Sequence, residues 1–313
     1  MHYLIDDNDC EHAFVRGISD FWPIYGVLES LDVDPHLCWA LLEINMSELT
    51  TSLKGDVDIL VGRMAWDDPQ MFKDALDDVQ QRRRSASPLV AEERIIDLES
   101  PENLAATLTA MRGGLMWPPP TDFFAGIEVK CAHLDSNVDL DTESVSIDHM
   151  KSTKSAPRKT RRIQLQIDSL HQLGCDRVAL LDLIAHPPAD GVGAAAWANA
   201  LAVANKTSDV MEGIYSGRLK PGTTAGHWVY SLGAVRGGNE NMRGAGSLQV
   251  YRRPQENACL TDFGVQSRRL EVKGNLNSLF GKLPKPRTLP ALFISCHSCN
   301  KIYRCGMNHV CCT

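Results

Sequence analysis

Two short apolar runs carry charged residues where a buried strand normally has none. The first, at 55–62, reads GDVDILVG, and Asp58 lies at the start of its apolar part. The second, at 124–131, reads FAGIEVKC and contains both Glu128 and Lys130. Because β-branched and aliphatic residues dominate both runs, each predicts a strand in the interior of a sheet.

Side chains alternate along a strand, and this alternation predicts the faces of the second run. Glu128 and Lys130 should share one face, whereas Ile127 and Val129 should share the other. Burying such charges is costly unless they are paired or bind a metal. The pattern therefore indicates a polar site on one face of the sheet.

Hydrophobic periodicity predicts several further elements. A helix is predicted at 35–53, because Pro35 suits a first helical turn and apolar residues recur on one face. A second helix is predicted at 160–173, with Gly174 as its C-cap. Further predicted elements include a short helix at 19–31, a helix at 262–280, and strands at 177–185, 227–232 and 246–253.

An Asp on one strand followed by Glu-x-Lys on a neighbouring strand resembles the PD-(D/E)XK nuclease superfamily. The wording GDVDILV…IEVK is similar to its restriction-endonuclease and resolvase branches. The resemblance covers about residues 35–186 and implies an α/β fold with a restriction-endonuclease-like mixed central sheet flanked by helices. It departs from the usual pattern in a long segment between the two strands, and in the lack of a proline before Asp58.

The predicted domain organisation has four parts. They are an N-terminal extension at 1–34, a nuclease-like core at 35–186, a sheet extension or second lobe at 187–290, and a cysteine-rich tail at 291–313. Within the core, residues 66–120 are predicted to form an insertion that folds over one edge of the sheet, because compact domains rarely contain long structureless connections.

The resemblance implies a Mg²⁺ or Mn²⁺ site that hydrolyses phosphodiester bonds. Asp58 and Glu128 would supply carboxylate ligands, and the carbonyl of Val129 a third oxygen, which suits the oxygen preference of Mg²⁺. Lys130 would hold the attacking water or lower its pKa. Asp56 shares a face with Asp58 and could support it.

Two further residues enter the site only through the family. A helical carboxylate often joins the metal site, which favours Glu43 and leaves Glu48 open as an alternative. A glutamine on the helix after the Glu-x-Lys strand implies Gln166, with Gln164 as the alternative. A solvated helix carboxylate is an equally good interpretation of Glu43 or Glu48.

The charge is strongly divided along the chain. Residues 1–150 contain 10 Lys and Arg against 29 Asp and Glu, whereas residues 151–313 contain 22 against 10. A polyanion partner for the basic half, and a partner protein for the acidic half, are therefore expected. The segment 151–162 is the strongest basic run, and six residues are predicted to contact nucleic-acid phosphates: Lys151, Lys154, Arg158, Lys159, Arg161 and Arg162. A solvated linker is the alternative.

The tail reads FISCHSCNKIYRCGMNHVCCT and predicts a structural Zn²⁺ site. Cys296 and Cys299 have the spacing of a zinc-knuckle half. Cys305 and Cys311 are favoured for the other half, with Cys312 and His309 as competitors. Metal binding would supply folding energy that so short a tail lacks. Free thiols or a redox pair are the alternatives.

The resemblance, which these features support, implies a metal-dependent endodeoxyribonuclease acting on DNA, and the restriction-endonuclease and resolvase branches imply a role in restriction or phage defence. The first alternative is a catalytically silent, nuclease-like subunit that binds DNA or a partner, and the second is a zinc-dependent scaffold. A homodimer is compatible with the sequence. A cytoplasmic location is expected, because no run has the length of a membrane span and no signal peptide is recognisable.

Overall fold

The structure is a computed structural model of an α/β chain. It describes residues 24–35, 37–67, 70, 114–134, 150–151, 160–185, 218–236, 242–286, 289–295 and 302–304. Within these residues, nine strands form one mixed sheet accompanied by three α-helices. The helices are α1 (Tyr25–Ser30), α2 (Thr160–Leu173) and α3 (Phe263–Lys282). The predicted α/β class, with a mixed sheet flanked by helices, is therefore confirmed.

The strands follow one another across the sheet in the order β7-β6-β5-β3-β2-β1-β8-β9, with β4 paired to β3. Their bounds are β1 (Cys38–Asn45), β2 (Asp56–Arg63), β3 (Phe124–Leu134), β4 (Met150–Lys151), β5 (Arg177–Ala185), β6 (Gly226–Arg236), β7 (Met242–Arg252), β8 (Ala291–Ser295) and β9 (Ile302–Arg304). The strands β1, β2 and β3 pair antiparallel, whereas β5 runs parallel to β3 and β6 runs parallel to β5. The strand β8 pairs parallel with β1 at the other side of the sheet.

Each face of the sheet has its own hydrophobic core. One face packs against α1 through residues such as Leu28, Ile59 and Val129. The other face packs against α2 and α3 through residues such as Ile167 and Phe280. Strands that are buried on both faces read as continuous apolar runs, which is the pattern found in β1, β2 and β5.

The prediction of a helix at 35–53 is wrong. Residues Cys38–Asn45 form β1, and a 3₁₀ turn follows at Met46–Glu48. The run from Cys38 to Ile44 is buried throughout. A short apolar run that is buried on all sides satisfies a helical period as well as a strand, so periodicity could not separate the two.

Several other predicted elements agree closely with the described structure. The helix α2 and the strand β5 have the predicted bounds, and Gly174 ends α2 with a φ of 85°. The strands predicted at 227–232 and 246–253 lie within the longer β6 and β7, and α3 covers 263–282. Most of the 66–120 segment lies outside the described residues.

A partly buried ion pair between Asp176 and Arg269 joins the start of β5 to α3. The guanidinium of Arg269 donates to both carboxylate oxygens of Asp176, at 2.9 and 2.8 Å, and also to the carbonyl of Gly174. Asp176 in turn accepts the backbone N–H of Phe124 at 2.9 Å. This network therefore fixes the beginnings of β3 and β5, and so positions the polar residues farther along them.

Candidate active site

The ammonium group of Lys130 lies among three oxygen atoms from two neighbouring strands. It is 2.6 Å from Oε1 of Glu128 and 3.7 Å from Oδ2 of Asp58. It also donates a 2.7 Å hydrogen bond to the carbonyl oxygen of Val129. The structure therefore brings together the four residues that the sequence proposed for one site.

Strand register explains why these side chains meet. The β2–β3 ladder includes the pair Ile59↔Ile127, so the next step of the antiparallel register places Asp58 opposite Glu128. Ile127 and Val129 lie in the α1-side core, as the alternation predicted. Glu128 and Lys130 consequently share the opposite face.

The site is buried in the folded chain. The side chains of Lys130, Asp58 and Glu128 are 8%, 9% and 1% exposed. At such burial, charge pairing is required, because an isolated ion would be strongly destabilising. Lys130 supplies that pairing for both carboxylates, so the cluster carries a formal charge of −1 when all three groups are ionised.

Glu43 belongs to β1 and not to a helix, which corrects the helical carboxylate expected there. The pairs Leu42↔Ile59 and Ile44↔Val57 bracket it, so Glu43 lies opposite Asp58 in the register. Its side chain is buried and its φ is 53°, in the left-handed region. The alternative, Glu48, is exposed on the 3₁₀ turn and does not share this position. The exposed Asp56 begins β2.

The two candidate glutamines of α2 have different surroundings. The amide of Gln164 donates to Asp168 at 2.7 Å and accepts the backbone N–H of Lys220 at 3.0 Å, so it fastens the 218–220 segment to α2. Gln166 is half-buried, and its Oε1 has no hydrogen-bond partner among the described residues. Neither hydrogen bond of Gln164 involves Asp58, Glu128 or Lys130.

A second buried cluster of charges lies on the same face and was not predicted. Asp182 of β5 is paired with Lys130 in the β3–β5 register. Its carboxylate is 2.5 Å from Nη1 of Arg218 and 2.8 Å from Nε2 of His227 on β6. Asp182, Arg218 and His227 are 1%, 3% and 3% exposed.

The sequence did contain a signal for part of this cluster. Asp182 interrupts the apolar run of β5 just as Glu128 interrupts that of β3, so the same reasoning would have selected it. His227 begins a predicted strand and Arg218 lies outside any regular element. Only tertiary contact reveals that these two residues meet Asp182.

Two groups of predicted residues lie largely outside the described part. Of the basic run, Lys154, Arg158 and Lys159 lie outside it, Lys151 is described only as a backbone position in β4, and Arg161 and Arg162 are exposed in the first turn of α2. All the tail candidates lie outside it, namely Cys296, Cys299, Cys305, Cys311, Cys312 and His309. The predicted phosphate contacts and the predicted zinc site therefore stay predictions.

Comparisons with known proteins found no match to any protein-family model, curated protein or solved structure. Among the described residues, no group of three or more His, Cys, Asp and Glu side chains is placed to hold a metal ion. None of the described helices is long and apolar enough to cross a membrane.

Proposed function

We propose that the protein is a metal-dependent nuclease that hydrolyses DNA phosphodiester bonds at the Asp58, Glu128 and Lys130 cluster. One observation carries the proposal: a cationic group is held by both carboxylates and the Val129 carbonyl. These are the three oxygen donors that the resemblance to PD-(D/E)XK nucleases assigns to a divalent ion. They converge on one point although they come from two strands.

The donor set fits Mg²⁺ or Mn²⁺. Carboxylate and carbonyl oxygens are the hard ligands these ions prefer, and Mg²⁺ usually takes only one or two carboxylates with waters completing its shell. Asp58, Glu128 and the Val129 carbonyl would hold the ion. This composition also agrees with the lack of a three-residue His, Cys, Asp or Glu group in the described chain, because a backbone carbonyl is not such a residue.

The order of elements supports the same proposal. The strands β1 to β3 form an antiparallel meander, α2 then crosses over, and β5 returns parallel to β3. The resemblance to PD-(D/E)XK nucleases implies that the Asp strand and the Glu-x-Lys strand are neighbours and that a crossover helix follows them. In the described residues α1 precedes this unit, in place of the helix predicted at 35–53.

Each side chain has a definite task in the proposed reaction. A bound divalent ion supplies Lewis acidity and neutralises charge that develops on the phosphate. Lys130 places a positive charge beside the same oxygens, where it can hold the attacking water and accept part of the developing charge. Asp58 is oriented by the N–H of Val129, at 2.6 Å, and lies 3.7 Å from the Lys130 ammonium.

A metal-dependent cleavage assay tests the proposal. Purified protein would be incubated with supercoiled, linear and single-stranded DNA in the presence of Mg²⁺, Mn²⁺ or EDTA. Cleavage with metal that is absent in EDTA, and absent in Glu128→Gln, is the expected result. Cleavage by the Asp58→Asn/Glu128→Gln double variant at the wild-type rate would show that these residues are not catalytic.

The burial of the cluster favours a second candidate, a catalytically silent subunit that binds DNA or a partner. Glu128 is 1% exposed and Lys130 already satisfies its charge, so the cluster could serve as a purely structural ion pair. DNA binding by the wild-type protein without cleavage under any metal condition would favour this candidate. A restriction or defence role, and a cytoplasmic location, remain proposals that rest on the resemblance and the sequence.

A further inference from the structure

The charged residues of the α2-side face form two neighbouring clusters. Two carboxylates occupy the β2–β3 part, where Asp58 and Glu128 lie opposite each other in the register beside Lys130. Basic groups lie toward β5 and β6, where Arg218 and His227 both contact Asp182. The face therefore carries one cluster on β2 and β3 with a formal charge of −1, and beside it a cluster at β5 and β6 in which the charges of Asp182 and Arg218 balance.

The two clusters are neighbours in the sheet. Lys130 and Asp182 are directly paired between β3 and β5, and Asp182 contacts His227 across the next strand pair. Neighbouring strands are about 4.8 Å apart. A phosphate group that reached Lys130 would thus be within one or two strand spacings of Arg218 and His227.

Stability does not explain why Arg218, Asp182 and His227 are buried together. Burying three ionisable groups carries a desolvation cost that their mutual attraction repays only partly, and apolar replacements are often as stable. Arginine is the side chain best suited to planar, bidentate recognition of phosphate.

The segment that presents Arg218 is itself held in place. Gln164 of α2 accepts the backbone N–H of Lys220, and Lys220 also forms an exposed 3.6 Å ion pair with Asp168. Asp182 then orients the guanidinium of Arg218 and the imidazole of His227 through its two carboxylate oxygens. Gln164 and Asp182 are accordingly positioning residues, whereas Arg218 supplies a positive charge and His227 a second hydrogen-bonding group.

We propose that Arg218 and His227 form a phosphate-binding extension of the candidate active site, positioned by Asp182, that contacts the DNA backbone beside the bond to be cleaved. The inference rests on the proposed function for its ligand, but its test does not depend on cleavage. It adds β5 and β6 to a site that sequence reasoning confined to β2 and β3.

DNA binding in EDTA provides the test, because no hydrolysis occurs and a labelled duplex can be titrated over a range of salt concentrations. The variants are His227→Gln, which keeps a donor for Asp182, and Arg218→Lys, which keeps the charge but loses the fork. Lys220→Gln is the matched control, since Lys220 is a nearby cation whose side chain is 68% exposed. Urea denaturation verifies that each variant is folded.

We expect His227→Gln and Arg218→Lys to weaken binding about tenfold or more, the usual effect of losing a hydrogen bond to a charged group. The slope of log affinity against log salt should stay near the wild-type value in Arg218→Lys, which keeps the charge, and should fall by about one in Arg218→Gln, which loses it. Lys220→Gln should change both quantities less. If a single variant does not fold, the Asp182→Asn/Arg218→Gln pair removes both charges together and takes its place.

The outcomes separate this inference from the proposed function. Unchanged affinity and slope in folded variants would overturn the phosphate-binding extension, even if the wild-type protein cleaves DNA with Mg²⁺. Weakened binding in the variants, together with no cleavage under any metal condition, would support the extension and reject the nuclease. A wild-type protein that does not bind DNA would overturn the extension directly.

Discussion

The backbone N–H of Val129 on β3 donates a 2.6 Å hydrogen bond to Oδ2 of Asp58 on β2. Val129 lies beyond the last described pair of the β2–β3 ladder, Ile59↔Ile127. Its N–H therefore bonds to the Asp58 carboxylate, where a backbone carbonyl would accept it inside the ladder. The bond orients Asp58 toward the Lys130 ammonium. One carboxylate thus joins the sheet and forms part of the candidate site.

This bond leads to a prediction that separates structure from chemistry at Asp58. Asp58→Asn retains an oxygen that can accept the Val129 N–H, whereas Asp58→Ala leaves that buried donor unsatisfied. We expect Asp58→Ala to unfold at lower urea, with a loss of about 1–3 kcal/mol relative to Asp58→Asn. Both variants should lower metal-dependent cleavage by about 10²–10³-fold, because both lack the charged ligand. Equal stability of the two variants would show that the hydrogen bond contributes nothing.

The Glu128–Lys130 pair predicts a strong coupling energy. Lys130→Met leaves two buried carboxylates without their cation, and Glu128→Gln leaves the ammonium with a weaker partner. Removing one member of a buried pair typically costs about 3–5 kcal/mol, whereas replacing both is often neutral. We therefore expect the Glu128→Gln/Lys130→Met double variant to be clearly more stable than the sum of the two single losses. Free energies of unfolding from urea titrations give the double-mutant cycle, and additive losses would contradict the pairing.

How far the sequence could predict the fold is shown by three neighbouring elements. The helix α2 was predicted because its apolar stripe has a clear helical period and Gly174 provides a stop signal. The strand β5 was predicted because a nine-residue apolar run between turn residues suits a buried strand. The strand β1 was missed, since Cys38–Asn45 is apolar at nearly every position and has no period that excludes a helix.

The same contrast holds for the candidate site. Asp58, Glu128 and Lys130 could be found because charge inside an apolar strand is conspicuous in a sequence. Glu43 was selected for the wrong element, and its place opposite Asp58 depends on a strand register that local propensity does not encode. Arg218 could not be found, because its contact with Asp182 joins residues 36 positions apart in sequence through a non-regular segment.

Close packing of Trp39 over Gly62 gives a prediction about the sheet. These residues are paired between β1 and β2, and a Cβ atom on Gly62 would lie 2.2 Å from the Trp39 ring. We expect Gly62→Ala to destabilise the fold by about 1–3 kcal/mol through overpacking. Gly274→Ala on α3 is the matched control, because nothing lies within 4 Å of the added carbon. It should be neutral or stabilise by up to about 1 kcal/mol through helix propensity, and thermal melts would rank the two.

The cysteine-rich tail predicts one bound Zn²⁺ per chain. The strands β8 and β9 pair antiparallel, so the segment containing Cys296 and Cys299 connects two paired strands. We expect elemental analysis of protein purified without chelator to find one zinc, and to find much less in Cys296→Ser/Cys299→Ser. Cys259→Ser is the control, because this cysteine lies far along the chain from the tail. Wild-type protein without zinc would contradict the predicted zinc site and would leave the proposed nuclease activity untouched.

A buried histidine predicts the pH dependence of stability. His171 of α2 is 6% exposed, and its Nδ1 lies 3.0 Å from Oδ1 of Asn257. The amide of Asn257 also donates to the carbonyls of His171 and Cys175, which fastens the end of α2 to the turn before α3. Burial lowers the pKa of His171 below its ordinary value of 6.5, and the Asn257 bond and the charge of Asp168 oppose this only partly.

The sign of the effect follows from proton linkage. Because the folded-state pKa is lowered, the unfolded chain binds more protons at His171 than the folded chain does as the pH falls through about 6.5. The contribution of His171 to stability is thus fully present above this range and is lost as the pH drops toward the lowered pKa. We expect His171→Gln, whose amide can still hydrogen-bond to Asn257 but cannot be protonated, to flatten the fall in unfolding free energy between about pH 7.5 and 5.5. Asn257→Ala serves as the contrast, since it should lower stability at every pH and, because it removes a bond that raises the pKa of His171, should not flatten the fall. An unaltered slope in folded His171→Gln would assign the acid sensitivity to other groups.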